Sequence, residues 1–497
     1  MTGTASPPTV AGLLRAHAMR AGDRVAVRTR STATWSTTTW AELRRAALSV
    51  AAHLGGAARP RGPAIVLVDN TPASVASVLG LALAGVDMLL VERENSYLSD
   101  ERSVVNRLPA TAIVCPADVQ LPALPGLVQH TFDELTAGPP ADDTCLPENP
   151  RSAVLQLTSG STGEPKIARQ TLGNTLTGGA LYRDLHKVTE ADTLFAMVPL
   201  AHSFGLVGAL ATALVTGAGL MTMSRFTPGA VLEGLRGGAT VLLGTPLVYE
   251  LIAPVLPRDA TGTRVRTALS SGGPLTPRLG GAVTERLGVP VHQIYGSTET
   301  GLIACQYDRP EPWPGNCAGV MAPGVQWRLR TGESSWAVHG RGRLFVRTAT
   351  MFLGHQGSTT SPLLDDGFLE SGDLVEVDEG GHVTVLARKD TFVNVGGRKV
   401  NPRRVERVVA GHPAVREAFV YGRAAARDGE EEIHAALVLH PGADTGEIAR
   451  FCRSRLMPYE VPHHIHVIPA VPRTGMGKVD RSKLLDAVRA AEERVNG

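Results

Sequence analysis

Aromatic residues make up only 4% of this 497-residue chain, and its formal net charge is +2. Reading nucleic acid by base stacking and phosphate neutralisation needs aromatics and a basic surface, so neither nucleic acid nor an acidic membrane face is an expected partner. The five cysteines (Cys115, Cys145, Cys305, Cys317 and Cys452) are scattered, without the paired spacing of a zinc site or a disulfide framework. Reduced thiols in a cytoplasmic protein are therefore expected, and the N-terminal stretch shows no apolar run of secretory-signal length. Lysine is scarce as well: six of the 49 basic residues, namely Lys166, Lys187, Lys389, Lys399, Lys478 and Lys483. Arginine serves wherever a generic positive charge suffices. The remaining lysines stand either where a compact ammonium is required or where codon bias and chance left them.

What the chain does contain is apolar residues, 43% of it, over a length that exceeds one ordinary core. An uncharged stretch at 204–223 has the length of a membrane span, but four glycines interrupt it, so a buried helix leading into a sheet strand is expected there. Continuous apolar strands at 64–68, 86–91 and 111–115, with a helix at 72–84, alternate in the manner of a parallel sheet covered on both faces. The rhythm resumes at 193–198, 219–223, 240–243 and 265–269. After about residue 313, glycine and proline become dense and short alternating strands appear at 325–329, 343–347 and 382–386, the texture of a small antiparallel barrel or sheet. Helices at 402–410 and 445–456, with strands at 418–421 and 434–439, suggest a separate α+β module of about a hundred residues.

Five motifs carry chemistry. Behind the apolar run 153–157 comes Thr158-Ser159-Gly160-Ser161-Thr162-Gly163-Glu164-Pro165-Lys166. Glycine lets backbone N–H groups approach a polyphosphate closely and the hydroxyls donate to its oxygens, although a Ser/Thr/Gly surface loop has the same composition. It is not a Walker A loop, because Pro165 separates Gly163 from Lys166. Tyr295-Gly296-Ser297-Thr298-Glu299-Thr300-Gly301 follows a strand-like run, where ligands sit in open α/β sheets, and Glu299 offers Mg²⁺ an oxygen ligand. In Glu370-Ser371-Gly372-Asp373 the aspartate suits a vicinal diol, or simply caps a hairpin turn, and Arg388 stands fifteen residues on. Arg388-Lys389-Asp390 is followed by Gly396-Gly397. Finally, Pro472-Arg473-Thr474-Gly475-Met476-Gly477-Lys478 places a lysine at the tip of a glycine loop, which domain movement can carry to a distant site.

Together, in this order and from about Thr37 to Leu485, these motifs resemble the adenylate-forming superfamily of acyl- and aryl-CoA synthetases, peptide-synthetase adenylation domains and firefly-type luciferases. The resemblance implies an α/β fold: a large N-terminal domain of layered α/β sheets plus a small β-barrel (1–388), and a small α+β C-terminal domain joined by a hinge (389–497). It implies that Thr158, Ser159, Gly160, Ser161, Thr162, Gly163 and Lys166 cradle the ATP phosphates, that Thr298 meets the α-phosphate and that Glu299 holds Mg²⁺. Tyr295 and Gly296, with Gly272 and Gly273 opposite, would enclose adenine, and Asp373 and Arg388 the ribose. Lys478 would bridge the attacking carboxylate and the α-phosphate, Asp390 would be the hinge, and Gly396 and Gly397 would line a thiol tunnel. Two departures stand out: Ser161 replaces the commoner threonine, and His355 follows Gly354 where many members have tyrosine.

The implied reaction is ATP- and Mg²⁺-dependent activation of a carboxylic acid to an acyl-adenylate, then transfer to the thiol of CoA. The alternative is a stand-alone enzyme loading a carrier protein in a biosynthetic pathway, and a luciferase-type oxygenase shares the motifs. In the resemblance, His202, Ser203, Gly296 and Gly301 belong to the acid pocket. No Asp or Glu occurs between Asp192 and Glu233, so a buried ammonium would lack a local partner and an α-amino acid is disfavoured. An aryl or bulky acyl acid is expected, the two glycines leaving room for it.

Overall fold

The computed structural model describes residues 8–496 except 33, 57–58, 94–97, 99–103, 122–125, 143–145, 159–165, 258–262, 310–312, 314–316, 333–334, 359–360, 389–392, 396–397, 425–430, 457 and 476. The chain divides into two compact units. One runs as far as Trp327 and adds Phe345–Leu369 and Asp378–Val383; the other comprises Arg328–Leu344, Glu370–Val377 and Thr384–Gly497.

The first unit contains two sheets. One orders its strands Val128–Thr131, Ala112–Cys115, Ala64–Val68, Met88–Glu92, Ala153–Thr158 and Lys166–Thr171, parallel throughout except for the last pair. Ala64–Val68 is buried at every position, as a strand covered on both faces must be. The other sheet carries a parallel series Val25–Arg30, Gly219–Met223, Thr193–Ala196, Val241–Gly244, Thr267–Ser270 and Val291–Ser297, from which the chain turns back antiparallel through Gly301–Cys305. Helix starts are set locally: Thr71, Thr227, Thr245 and Thr276 each cap a helix whose first turn contains proline.

The uncharged 204–223 stretch resolves as expected into a buried helix and a strand, Gly219–Met223, separated by Gly217 at φ +77°. The helix opens with a π-helical segment, Phe204–Ala211, which the sequence did not indicate. Gly205 explains the tight entry, because a Cβ there would meet the Pro199 carbonyl at 2.2 Å. Among the described residues no helix is long and apolar enough to cross a membrane.

The second unit includes a small sheet ordered Val415–Ala424, Glu431–Leu439 and His464–Val467. Alternation along its strands serves two cores. Val420, Ile433, Ala435 and Leu437 pack with Val405, Val409 and Ile448 of the helices Pro402–Ala410 and Thr445–Arg453. Phe419, Tyr421, Ala436 and Val438 face the opposite way, against Leu484 and Val488 of Arg481–Asn496.

A buried histidine makes the first unit sensitive to acid. His186, at the end of the helix Leu172–His186, stacks 6.5 Å from His292, and its Nε2 has no hydrogen-bond partner. Burial, aided by the His292 ring and Arg266 against the pull of Asp308, holds it down to about 4. The folded value lies below the unfolded one, so this stability is complete above about pH 6.5 and is lost as pH falls towards 4, by about 3 kcal/mol for the full change. In urea unfolding at pH 7.5 and pH 4, His186→Gln should lose correspondingly less stability on acidification than the unsubstituted chain. Equal losses would show that this ring does not drive the effect.

Candidate active site

The strand ends of the first unit converge, and the polar side chains come with them. Gln156 breaks the apolar run of Ala153–Thr158 and is buried at 2% exposure. Its Nε2 donates to the Ala201 carbonyl at 2.7 Å, while its Oε1 accepts the Ser203 hydroxyl at 2.7 Å. Ser203 Oγ in turn lies 3.1 Å from Thr298 Oγ1. Gln170, on the neighbouring strand Lys166–Thr171, donates to the Thr298 carbonyl at 2.7 Å. The side chain and the backbone of Thr298 are thus each held by a different strand or loop.

The turn bearing Thr298 and Glu299 is built by its flanks. Ser297 and Thr300 bond reciprocally, Ser297 N to Thr300 Oγ1 at 3.1 Å and Thr300 N to Ser297 Oγ at 3.2 Å, which leaves the two residues between them at the tip. Gly301 has φ +67°, and a Cβ on it would meet Thr350 Oγ1 at 2.2 Å. A Cβ on Gly296 would meet the Gly301 carbonyl oxygen at 2.2 Å. The hairpin itself therefore requires both glycines, which removes the argument that they are small to make room for an acid.

Glu299 is kept ionised against its surroundings. Burial pushes its carboxyl upward, but the nearby His355 ring, its own backbone N–H and the Ser297 and Thr158 hydroxyls outweigh this and hold it below the ordinary glutamate value. His355 Nε2 lies 3.9 Å from Glu299 Oε1. It is delivered there because residues 353–356 pair with Lys166–Thr171: Leu353 N donates to Arg169 O at 2.7 Å and Arg169 N to Gly354 O at 3.0 Å. The histidine that departs from the commoner tyrosine thus approaches the carboxylate expected to hold Mg²⁺.

His202 Nε2 is paired with Glu92 Oε1 at 2.5 Å. Glu92 ends the strand Met88–Glu92, so a carboxylate reaches this region from another part of the chain although residues 193–232 supply none. Tyr295 lies on Val291–Ser297, and Gly272 (φ +90°) and Gly273 follow the neighbouring strand Thr267–Ser270. Thr158 and Lys166 are cross-strand partners at the base of the hydroxyl-rich loop, whose residues Ser159, Gly160, Ser161, Thr162 and Gly163 lie outside the described residues.

The second unit holds the other expected residues. Asp373 is 8% exposed on Leu369–Val377, directly after Gly372 at φ +79°, and Arg388 ends the backbone strand His382–Arg388. Lys478 is exposed in a turn closed by Arg473 pairing with Val479 and by Thr474 N donating to the Lys478 carbonyl at 2.7 Å. Asp390, Gly396 and Gly397 lie outside the described residues.

Sequence reasoning missed Gln156, Gln170 and Glu92 as members of this constellation, and marked His355 only as a departure from the commoner tyrosine. Of the three missed, Gln156 left a local signal, an amide in a strand otherwise reading as continuous core. Ser203→Ala should test the network, since it strands the Gln156 carbonyl oxygen and releases the Thr298 hydroxyl. Acid-dependent pyrophosphate release should fall on the order of tenfold and be restored by Ser203→Thr. Retention of the full rate in the alanine variant would remove Ser203 from any positioning role.

Hydroxyls, an ionised glutamate and a tyrosine gathered beyond the C-terminal ends of parallel strands define a nucleotide-handling α/β enzyme. Comparison with known proteins gives the class its name: residues 14–355 match the model of the AMP-binding enzyme family, and residues 404–478 that of the AMP-binding enzyme C-terminal domain. The chain belongs to this adenylate-forming family. It is 28% identical over 465 residues to the 2-succinylbenzoate–CoA ligase of Bacillus subtilis, covering 91% of this chain and 93% of that one. The enzyme of the same name from Geobacillus kaustophilus is 31% identical over 353 residues, 69% of this chain and 70% of its own. Among solved structures, the O-succinylbenzoate coenzyme A synthetase of Bacillus subtilis in complex with AMP superimposes with a TM-score of 0.81 at 26% identity, covering 96% of this chain and 98% of that one.

Proposed function

We propose that this protein is an AMP-forming acid–thiol ligase that activates an aryl or bulky acyl carboxylic acid with ATP and transfers it to CoA. The observation that carries the reading is the joint placement of Thr158, Thr298 and ionised Glu299 in the first unit, the groups that a polyphosphate and its metal ion require. The carboxylate of the acid attacks the α-phosphorus of ATP, pyrophosphate leaves, and the CoA thiol then displaces AMP from the acyl-adenylate. Both partners in the first step are anions, so catalysis is chiefly positioning and neutralisation of charge.

The donor set fits Mg²⁺: a hard cation takes oxygen ligands, and Glu299 presents an ionised carboxylate beside the Thr158 hydroxyl. When bound, Mg²⁺ would neutralise the phosphate oxygens and favour departure of pyrophosphate. Thr158, with Ser159, Gly160, Ser161, Thr162 and Gly163, would cradle the β- and γ-phosphates above Lys166. The Thr298 hydroxyl, held by Gln156 through Ser203, would meet the α-phosphate. Tyr295, Gly296, Gly272 and Gly273 would enclose adenine, and Asp373 and Arg388 the ribose. Lys478 would bridge the attacking carboxylate and the α-phosphate, and movement of residues 389–497 about Asp390 would withdraw it before the thiol enters past Gly396 and Gly397.

His202 would border the acid, with Gly301 behind it. The carboxylate beside it, Glu92, is engaged by its ring, which supports an acid without an α-amino group. CoA rather than a carrier protein is supported by relatives named CoA ligases. Together with the four cysteines among the described residues, all buried and free, that reading makes the cytoplasm the proposed compartment. Pyrophosphate release across a panel of fatty, benzoic and polycyclic acids tests the reading, with CoA and a carrier protein compared as acceptors on the active acid. Absence of stimulation by every acid would reject it.

A further inference from the structure

The small sheet of the second unit carries a group of histidines that the ligase reaction does not use. His434, on Glu431–Leu439, is registered directly against His464 on His464–Val467, and Ala436 against His466. Alternation along the strands puts Glu432, His434, His464 and His466 on one face, the face that also packs against Arg481–Asn496. The three rings lie nearly parallel: His434 is 4.5 Å from His464 at 28° and 5.1 Å from His466 at 12°.

Their nitrogens are ordered by one hydrogen bond followed by one longer, ion-pair approach to a carboxylate. His434 Nδ1 lies 2.9 Å from His466 Nε2, and His466 Nδ1 lies 3.7 Å from Glu492 Oε1, which is itself paired with Arg423 at 3.1 Å. With the carboxylate of Glu492 at its end, this relay favours the tautomers in which His466 bears its proton on Nδ1 and His434 donates from Nδ1 to His466 Nε2. The Nε2 lone pair of His434 is then left on the other side of the ring. It points into the same space as Glu432 Oε2, 4.0 Å away, and that oxygen is 3.1 Å from His464 Nε2. One ligand atom from each of Glu432, His434 and His464 falls within 4.8 Å of the other two.

We infer that Glu432, His434 and His464 form a binding site for a divalent transition-metal ion of the zinc class, with His466 and Glu492 orienting His434 from behind. Two imidazoles and one carboxylate are the donor set such ions prefer over Mg²⁺ or Ca²⁺, and three protein ligands leave a position for water. The hydrogen bond from the far nitrogen of a ligating histidine towards a carboxylate is the usual outer support of such sites, here lengthened by one ring. His464 is half exposed, which gives the ion an open route from solvent. An ion there would tie the edge strand His464–Val467 to its neighbour through side chains as well as backbone.

A second group, His53, His130 and Glu134, also brings three ligand atoms within 4.8 Å. Its glutamate is committed to capping the helix Phe132–Ala137, and among the described residues no carboxylate-ended relay stands behind its rings. It therefore serves as the control.

The test is titration of the full chain with Co²⁺, read by visible absorption and by equilibrium dialysis. One bound equivalent should disappear in His464→Ala and in Glu432→Gln, and persist in His53→Ala. Glu492→Gln should keep the equivalent but weaken its affinity about 10- to 100-fold. His464 is half exposed, so its variant should retain the far-ultraviolet circular dichroism of the parent, and Glu432→Gln provides a second variant without loss of volume. Absence of saturable binding, or binding that survives both His464→Ala and Glu432→Gln, would overturn the inference.

Discussion

Replacing Lys478 by alanine is expected to abolish adenylate formation while leaving the transfer of a supplied acyl-adenylate to CoA largely intact. In the first step two anions must come together, and a compact ammonium able to follow an oxygen of each offsets their repulsion as the new bond forms. Loss of one such interaction costs on the order of 10³-fold in rate, about 4 kcal/mol. In the second step the acyl-phosphate anhydride already exists and a neutral thiol or its thiolate attacks carbon, so the same charge is not required. The turn that carries Lys478 is closed by backbone bonds and by the Arg473–Val479 pairing, none of which uses the ammonium, so the alanine variant should fold. Pyrophosphate release measures the first half-reaction, and thioester formation from synthetic acyl-adenylate the second. Equal loss of both would refute the assigned role.

Glu299→Gln is expected to have the next largest effect, a fall of about 10²- to 10³-fold in pyrophosphate release with a marked rise in the Mg²⁺ concentration needed for half the remaining rate. The substitution preserves shape and one carbonyl oxygen but removes the negative charge. That charge is what several donors, His355 and Thr158 among them, hold in place against burial. Its backbone carbonyl accepts from Phe352 N at 2.9 Å, an interaction the glutamine retains, so the turn should persist. An unchanged Mg²⁺ dependence at a reduced rate would show that Glu299 supports the turn rather than the metal ion. His355→Tyr, which restores the commoner residue, makes a useful companion because it alters the carboxylate's neighbour while sparing the carboxylate.

Much of the fold was legible. The strands Ala64–Val68 and Gly219–Met223 and the helix Pro402–Ala410 were read from the sequence with the bounds observed, because a short apolar run or a capped amphipathic segment carries its own signature. Elsewhere the ends shifted: the strand expected at 418–421 extends over Val415–Ala424, since its partner Glu431–Leu439 continues the ladder past the apolar core. The π-helical opening at Phe204–Ala211, where Gly205 packs closely against the Pro199 carbonyl, was not legible in the sequence. Glu299 stood out by its place after a strand-like run, whereas Thr298 and Ser203 were proposed through the family resemblance. Their partners were not: Gln156 lies 47 residues from Ser203, and Glu92 lies 110 from His202.

By itself the sequence determined the class of chemistry, the layered α/β architecture and the candidate groups, since hydroxyl-rich loops, strand-end carboxylates and apolar periodicity are properties of neighbouring residues. Only the tertiary structure decided which of those groups act on one another. It brought His355 to Glu299 by adding residues 353–356 to a strand edge, and Glu92 to His202 from another strand. It also assigned Gly296 and Gly301 to the hairpin's own close contacts. It stacked His434, His464 and His466 through the pairing of two strands thirty residues apart in the chain. Contacts of that kind depend on register and packing between distant segments, and a linear pattern carries no record of them.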